Sequence, residues 1–297
     1  MMGKRRFFAI LLAIALAALL AGCGQTDAGS GSAGGGSEGQ SGASAAADED
    51  GVDVIASPGD FPGRVIAVQR ASTAAKSLDD MIAEGAEGIE VQAYEAITEA
   101  FDDLAAGKVD AIYVDSVVSA YYTDIGTAYL RTWMSQDQEP MGVCVAKGAE
   151  PLAEAIDAAI DKMFYNGSMS EIAVKNFGDD FTEGLRNVGE EPAIPDDFET
   201  IEEGVLTVGL HTGYPPMEYE EGGMTVGFDV DLAEHVAALL GLEVAIVDTG
   251  WDEIFDGLAA GRYDCIMSAV SITDELKQEF IMTEPYMANR LCIVVKN

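Results

Sequence analysis

The phrase FDDLAAGKVDAIYVD begins at residue 101, and FDGLAAGRYDCIMSA begins at residue 255, 154 residues further on. Both copies obey one grammar. A Phe and a Leu three residues apart (Phe101 and Leu104; Phe255 and Leu258) mark the last turns of an amphipathic helix. Gly107 and Gly261 then suit the left-handed position that ends a helix. An apolar run follows, Val109 to Val114 or Tyr263 to Met267, and reads as a short buried strand. Helix, glycine stop and strand make half of a parallel crossover unit. The spacing is too long for a solenoid, so the chain is expected to hold two α/β lobes of one architecture.

The flanking segments extend this pattern. GRVIAVQ (63–69) reads as a strand, and Ala71-Ser72-Thr73 opens a helix through Ala83. Ser72 or Thr73 is its N-cap, which aims free N–H groups beyond the strand end. IEVQAY (89–94), a helix from Ile97 to Ala106 and VDAIYVD (109–115) complete a βαβαβ lobe. MGVCVAK (141–147) is a further strand, and Glu150 to Tyr165 a helix with Leu152, Ile156, Ile160 and Met163 on one stripe. Asn166-Gly167 stops it, and Ser168 to Glu171 reads as a capping box for a helix ending at Phe177. Residues 178–203, with two prolines and ten acids, read as a connector. The second lobe runs through VLTVGL (205–210), the turn Tyr214-Pro215-Pro216, a helix over 228–241, LEVAIVD (242–248), a helix from Trp251 to Ala260 and YDCIMSAV (263–270). RLCIVVKN (290–297) is strand-like.

Ahead of the lobes, Lys4, Arg5 and Arg6 precede an apolar run of 15 residues, Phe7 to Ala21. That run is short for a membrane span and fits a signal peptide. It ends in Leu20-Ala21-Gly22-Cys23, which resembles the lipobox of bacterial lipoproteins and implies a lipid-modified Cys23. Residues 24 to about 52 are Gly, Ser, Ala, Gln and acid, expected as a disordered tether with a reach of about 30 Å. GSGSAG (29–34) and GGSEG (35–39) match nucleotide-binding and nucleophile-elbow patterns, but neither follows a strand or opens a helix. A net charge of −36 disfavours nucleic acid and anionic lipid surfaces as partners. Cys144, Cys265 and Cys292 each sit in an apolar run without a Cys-x-x-Cys pair, and are expected as buried free thiols.

The second lobe resembles the first lobe of the extracytoplasmic amino-acid-binding proteins of ABC transporters, solute-binding protein family 3. The phrases VLTVGLHTGYPPMEY, VGFDVDLAEHVAALLGLEVAIVDTGWDEIFDGLAAGRYDCIMSAVSIT and EPYMANRLCIVVKN carry that likeness. GRVIAVQRASTAAKSL and KVDAIYVDSVVSAYY resemble the same family's second lobe, and EPMGVCVAKGAEPLAEAIDAAIDKMFYNGSMSEIAVKNFG its closing segment. The implied fold is α/β, two-lobed and periplasmic-binding-protein-like (type II), with the lobes in reversed order, as in a circular permutation. A splice of fragments from two tandem genes is the alternative. The expected parts are a signal peptide (1–22), lipidated Cys23 and tether (23–52), lobe 2 (53–138), the closing segment of lobe 1 (139–180), a connector (181–203) and the remainder of lobe 1 (204–297). One covalent crossing, near Gln138 to Gly142, is expected to remain.

Ligands of open α/β sheets bind beyond strand C-termini. The resemblance implies that Asp115 meets a ligand α-amino group; the alternative is a helix-capping Asp. Thr73, at a helix start, is implied for a ligand carboxylate or serves as an N-cap only, and Gln69 matches a pocket-lining position. Tyr214 and Trp251 match two aromatic positions that sandwich the ligand side chain, with core packing as the alternative. Ser268, Ser271 and Thr273 match hydroxyl and backbone contacts, and His211 a pocket-edge position. The chain departs from the family at Leu276, three residues after Thr273, where the resemblance implies an Arg that forks onto the α-carboxylate. That loss is expected to weaken affinity roughly ten- to hundredfold or more. Lys277 projects about 100° further round a helix.

The leading expectation is a lipid-anchored extracytoplasmic binding protein, monomeric, closing on an amino acid or related zwitterion and serving ABC permease subunits. It is expected to be no enzyme and to need no cofactor or metal. The alternatives are an enzyme resembling cyclohexadienyl dehydratase, with Asp115 or Glu218 as the acid, and a sensor or docking lipoprotein with a degenerate pocket.

Overall fold

The computed structural model describes residues 54–123 and 128–297. The expected signal peptide, Cys23 and the tether to residue 52 lie outside the described residues. The first half builds β1 (Val65–Gln69), α1 (Thr73–Ala83), β2 (Glu90–Tyr94), α2 (Ile97–Ala105) and β3 (Ala111–Asp115). β1 pairs in parallel with both β2 and β3, so α1 and α2 are crossover helices. α3 (Ser116–Tyr122), β4 (Tyr129–Met134), β5 (Glu139–Met141), β6 (Cys144–Ala146), α4 (Glu150–Asn166) and α5 (Ser168–Phe177) follow. No capping box forms at Ser168. Gly167, at φ 86°, both ends α4 and precedes α5, which leaves Ser168 inside the first helical turn with no extended residue ahead of it to cap.

The second half repeats the plan with β7 (Val205–Leu210), β8 (Tyr219–Glu221), β9 (Met224–Val226), α6 (Phe228–Leu240), β10 (Glu243–Asp248), α7 (Ile254–Ala259) and β11 (Cys265–Ile266). β7 is parallel to β10 and β11. The repeated phrases therefore form α2–β3 and α7–β11, with Gly107 at φ 71° and Gly261 at φ 68° as helix stops. β11 is far shorter than the run 263–270 suggested. The Ala269 amide leaves the ladder to donate to Asp229 Oδ2 at 2.6 Å, and Ala269 turns the chain at φ 49°. α8 (Asp274–Glu279), β12 (Phe280–Met282), β13 (Met287–Asn289) and β14 (Leu291–Lys296) complete the chain.

The two large sheets have the orders β2-β1-β3-β14-β4 and β10-β7-β11-β6-β12. In each, the fourth strand is antiparallel to the third and comes from the other half of the chain. The segment 204–297 is thus shared between sheets, not confined to one lobe: β14 pairs with β3 and β4, with Leu291 opposite Asp115. Leu291 to Val294 are all buried, and a strand apolar on both faces is satisfied only inside a sheet. Nor is the crossing single. β5 and β13 both pass between the sheets and pair antiparallel, Met287 opposite Met141.

Each sheet is covered on both faces. Ile66, Val68, Ala111, Tyr113 and Ile293 share one core with Leu78 of α1, while Ala67, Ile112, Val114 and Val294 turn to the other side with Phe101 and Leu104 of α2. In the second sheet Cys144 and Ile266 pack with Ile254 and Leu258 of α7. Cys144, Cys265 and Cys292 are buried free thiols. The connector is docked: Arg186, 7% exposed, donates to Asp157, Asp161 and the Pro285 carbonyl, while Ile194 and Phe198 pack on the core.

Candidate functional site

β1, β3 and β11 all end at a cavity of about 330 Å³ between the two sheets. From the first sheet it receives Gln69, Thr73 and Asp115; from the second, Tyr214, Trp251, Ser268, Ser271 and Thr273. His211 stands outside it. Its backbone N–H donates to Ser268 Oγ at 3.1 Å and its Nδ1 lies 3.2 Å from the Thr249 carbonyl, which fixes the imidazole behind the wall.

Asp115 closes the gap between the halves. It occupies the residue before α3, yet its side chain makes no capping bond. Instead Asp115 Oδ2 accepts from Tyr214 Oη at 2.6 Å, and Oδ1 accepts from Asn289 Nδ2 at 2.6 Å. Burial pushes its carboxyl up to about 6, against the pull of those two donors. Asn289, in the crossing strand β13, also donates to Glu139 Oε2 at 3.3 Å and takes the Ser116 amide at 2.9 Å. Glu139, on the paired crossing strand β5, is raised to about 7 by burial and by the charge of Asp115, against the pull of Thr73 and Asn289.

On the opposite wall Ser268 Oγ donates to Glu218 Oε1 at 2.8 Å. Glu218 is 1% exposed, and its Oε2 receives no donor. Burial and the neighbouring Asp229 carboxyl hold Glu218 well above the usual carboxylate range. Asp229, in the first turn of α6, is itself fully buried and raised by loss of water. One proton between the two serves both. Thr273 caps α8, accepting from the Leu276 amide at 3.1 Å, and Leu276 lines the cavity. Lys277 points to solvent. Trp251 packs edge-on against Phe255, with ring centroids 5.8 Å apart. Ala71 and Ala269, the non-glycine residues at positive φ among those described, both border the cavity, so backbone strain gathers there.

Sequence reading missed the Asn289–Glu139 support and the Asp229 partner. Asn289 and Glu139 lie on the crossing strands, whose places in the fold no local pattern reveals. Among the described residues no group of three or more His, Cys, Asp or Glu is arranged to hold a metal ion. No described helix is long and apolar enough to cross a membrane.

Comparison with known proteins addresses the second half most directly. The L-cystine-binding protein TcyJ of Escherichia coli is 32% identical over 126 residues, 42% of this chain and 42% of that protein. The cyclohexadienyl dehydratase of Pseudomonas aeruginosa is 38% identical over 89 residues, 29% of this chain and 33% of that protein. The chain thus spans less than half the length of these relatives. The crystal structure of the arginine-bound form of domain 1 from TmArgBP shares 36% identity, covering 32% of this chain and 81% of that one, with a TM-score of 0.28. Residues 206–297 are similar to the bacterial extracellular solute-binding proteins, family 3.

Proposed function

We propose that the chain is an extracytoplasmic solute-binding protein of an ABC transporter, closing on a small amine-bearing solute of amino-acid size and passing it to permease subunits. One observation carries this reading: Tyr214 and Asp115, from opposite sheets, meet at 2.6 Å beside a cavity into which both sets of strand ends open. Ligand contacts with both sheets would favour the shut state over the open one. The two paired crossing strands are a natural hinge. The dehydratase alternative gains nothing from the carboxyl-rich wall, which repels a di-acid such as prephenate. Thermal shift against amino acids, amines and small acids, with scattering to follow closure, tests the reading. Compaction with a raised melting point and no turnover is expected; turnover of a prephenate-like acid refutes it.

The lobe order is proposed as a circular permutation. In support, the two sheets share one strand order and exchange their fourth strands reciprocally. The Asn297 amide donates to the Ala128 carbonyl at 2.7 Å, and Thr132, on the same stretch of chain, donates to the Ile55 carbonyl at 2.5 Å. A gene re-ordered as 204–297 followed by 54–177 through a short linker should fold and bind alike; failure to fold counts against permutation. Anchoring through Cys23 completes the proposal, and Cys23→Ser should release the protein from membranes.

A further inference from the structure

The solute-binding reading can be narrowed by the charges around the cavity, and the following inference rests on that reading. Asp115 and Glu218 stand in the wall, with Glu139 and Asp229 in contact behind them. The hydrogen-bond donors to these four carboxyls are neutral: Tyr214, Asn289, Ser268 and the Ala269 amide. Lys76 is the basic side chain of the wall, and it is 60% exposed and bonded to Asp80 at 2.9 Å. The Thr73 hydroxyl at the start of α1, where an incoming carboxylate would seek a donor, lies beside Glu139, whose charge would oppose that carboxylate. Across the cavity Leu276 offers only alkyl surface. Buried carboxyls in such numbers require either protons or a cation.

An independent observation indicates which. Glu218, 1% exposed, shares one proton with Asp229, so the pair keeps one negative charge behind a cavity wall that also holds Tyr214, Trp251 and Phe255. Aromatic faces beside a buried acid pair that keeps one negative charge suit an ammonium on an apolar stem. We propose that the cavity takes an organic cation, a primary amine or methylated ammonium carrying no α-carboxylate, and discriminates against the corresponding amino acid. Asp115 and Glu218 take the ammonium from opposite sides, and the aromatic rings enclose the stem.

Matched pairs that differ by the carboxylate provide the test: agmatine with arginine, putrescine with ornithine, tyramine with tyrosine, and choline with glycine betaine. Calorimetric titration of the full chain should find at least one pair whose carboxylate-free member binds tenfold or more tightly than its partner. Equal or tighter binding of the carboxylated member in every binding pair overturns the cation inference and leaves solute binding intact. No binding by either member of any pair overturns both. Glu218→Gln should weaken the bound amine at least tenfold, and Leu276→Glu, which adds acid at the wall without touching the buried pair, should strengthen it. An amine that binds both variants as it binds the parent refutes the assignment.

Discussion

Asp115 should make the ligand-free protein lose stability as pH rises, against the habit of acidic side chains that are stabilised in the fold. Unfolded, its carboxyl titrates near 3.8; folded, burial holds it at about 6. Between those values the native state keeps a proton that the unfolded state has released, so unfolding becomes easier as pH climbs. The contribution is fully present below 3.8 and gone above 6. At ~1.4 kcal/mol per pKa unit the whole effect is about 3 kcal/mol, of which about half falls between about pH 5 and about pH 8. Net charge of −36 adds its own repulsion over the same range, so the parent alone is not diagnostic. Asp115→Asn keeps the shape and an acceptor for Tyr214 while removing the titration. Urea unfolding of both proteins, followed by circular dichroism at several pH values, isolates Asp115 together with the part of the Glu139 shift that its charge causes. The parent should lose at least about 1.4 kcal/mol more than the variant on going from about pH 5 to about pH 8. Parallel curves for the two proteins would refute the claim that Asp115 is buried without a cation.

Other perturbations probe separate parts of the molecule. Leu276→Arg places a guanidinium in the cavity wall and should improve binding of the carboxylated member of a matched pair by roughly tenfold or more, as one charged hydrogen bond allows; unchanged calorimetric affinities would show that α8 does not face the ligand. Gly227→Ala should cost about 3 kcal/mol or more, because φ is 133° and an added Cβ would lie 2.2 Å from the Met217 carbonyl; a loss below about 1 kcal/mol in urea melts would contradict the packing of that turn. Arg186→Met should release the connector from α4, lowering stability by about 2 kcal/mol and opening residues 178–203 to limited proteolysis; an unchanged digestion pattern would mean that the connector is held by Ile194 and Phe198 instead.

Local grammar was legible wherever it reports on neighbours in the chain. The repeated phrase gave helix, stop and strand in both halves because amphipathic spacing and a left-handed glycine are set within a few residues. Asp115, Thr73, Tyr214, Trp251 and Ser268 were legible as strand-end or helix-start residues, and the cavity gathers all five. Partnership between distant segments was not. An apolar run such as CIVVK says that a strand is buried, but not in which sheet; β14 entered the first sheet and β6 the second because ladder pairing is decided by long-range contacts. The length of β11 depended on Asp229 reaching Ala269 from 40 residues away. Likewise, the carboxyl cluster that dictates the cavity's charge exists only where two crossing strands bring Glu139 and Asn289 behind Asp115. Sequence fixes what each segment must bury; the tertiary structure decides which charges are then left facing one another without water.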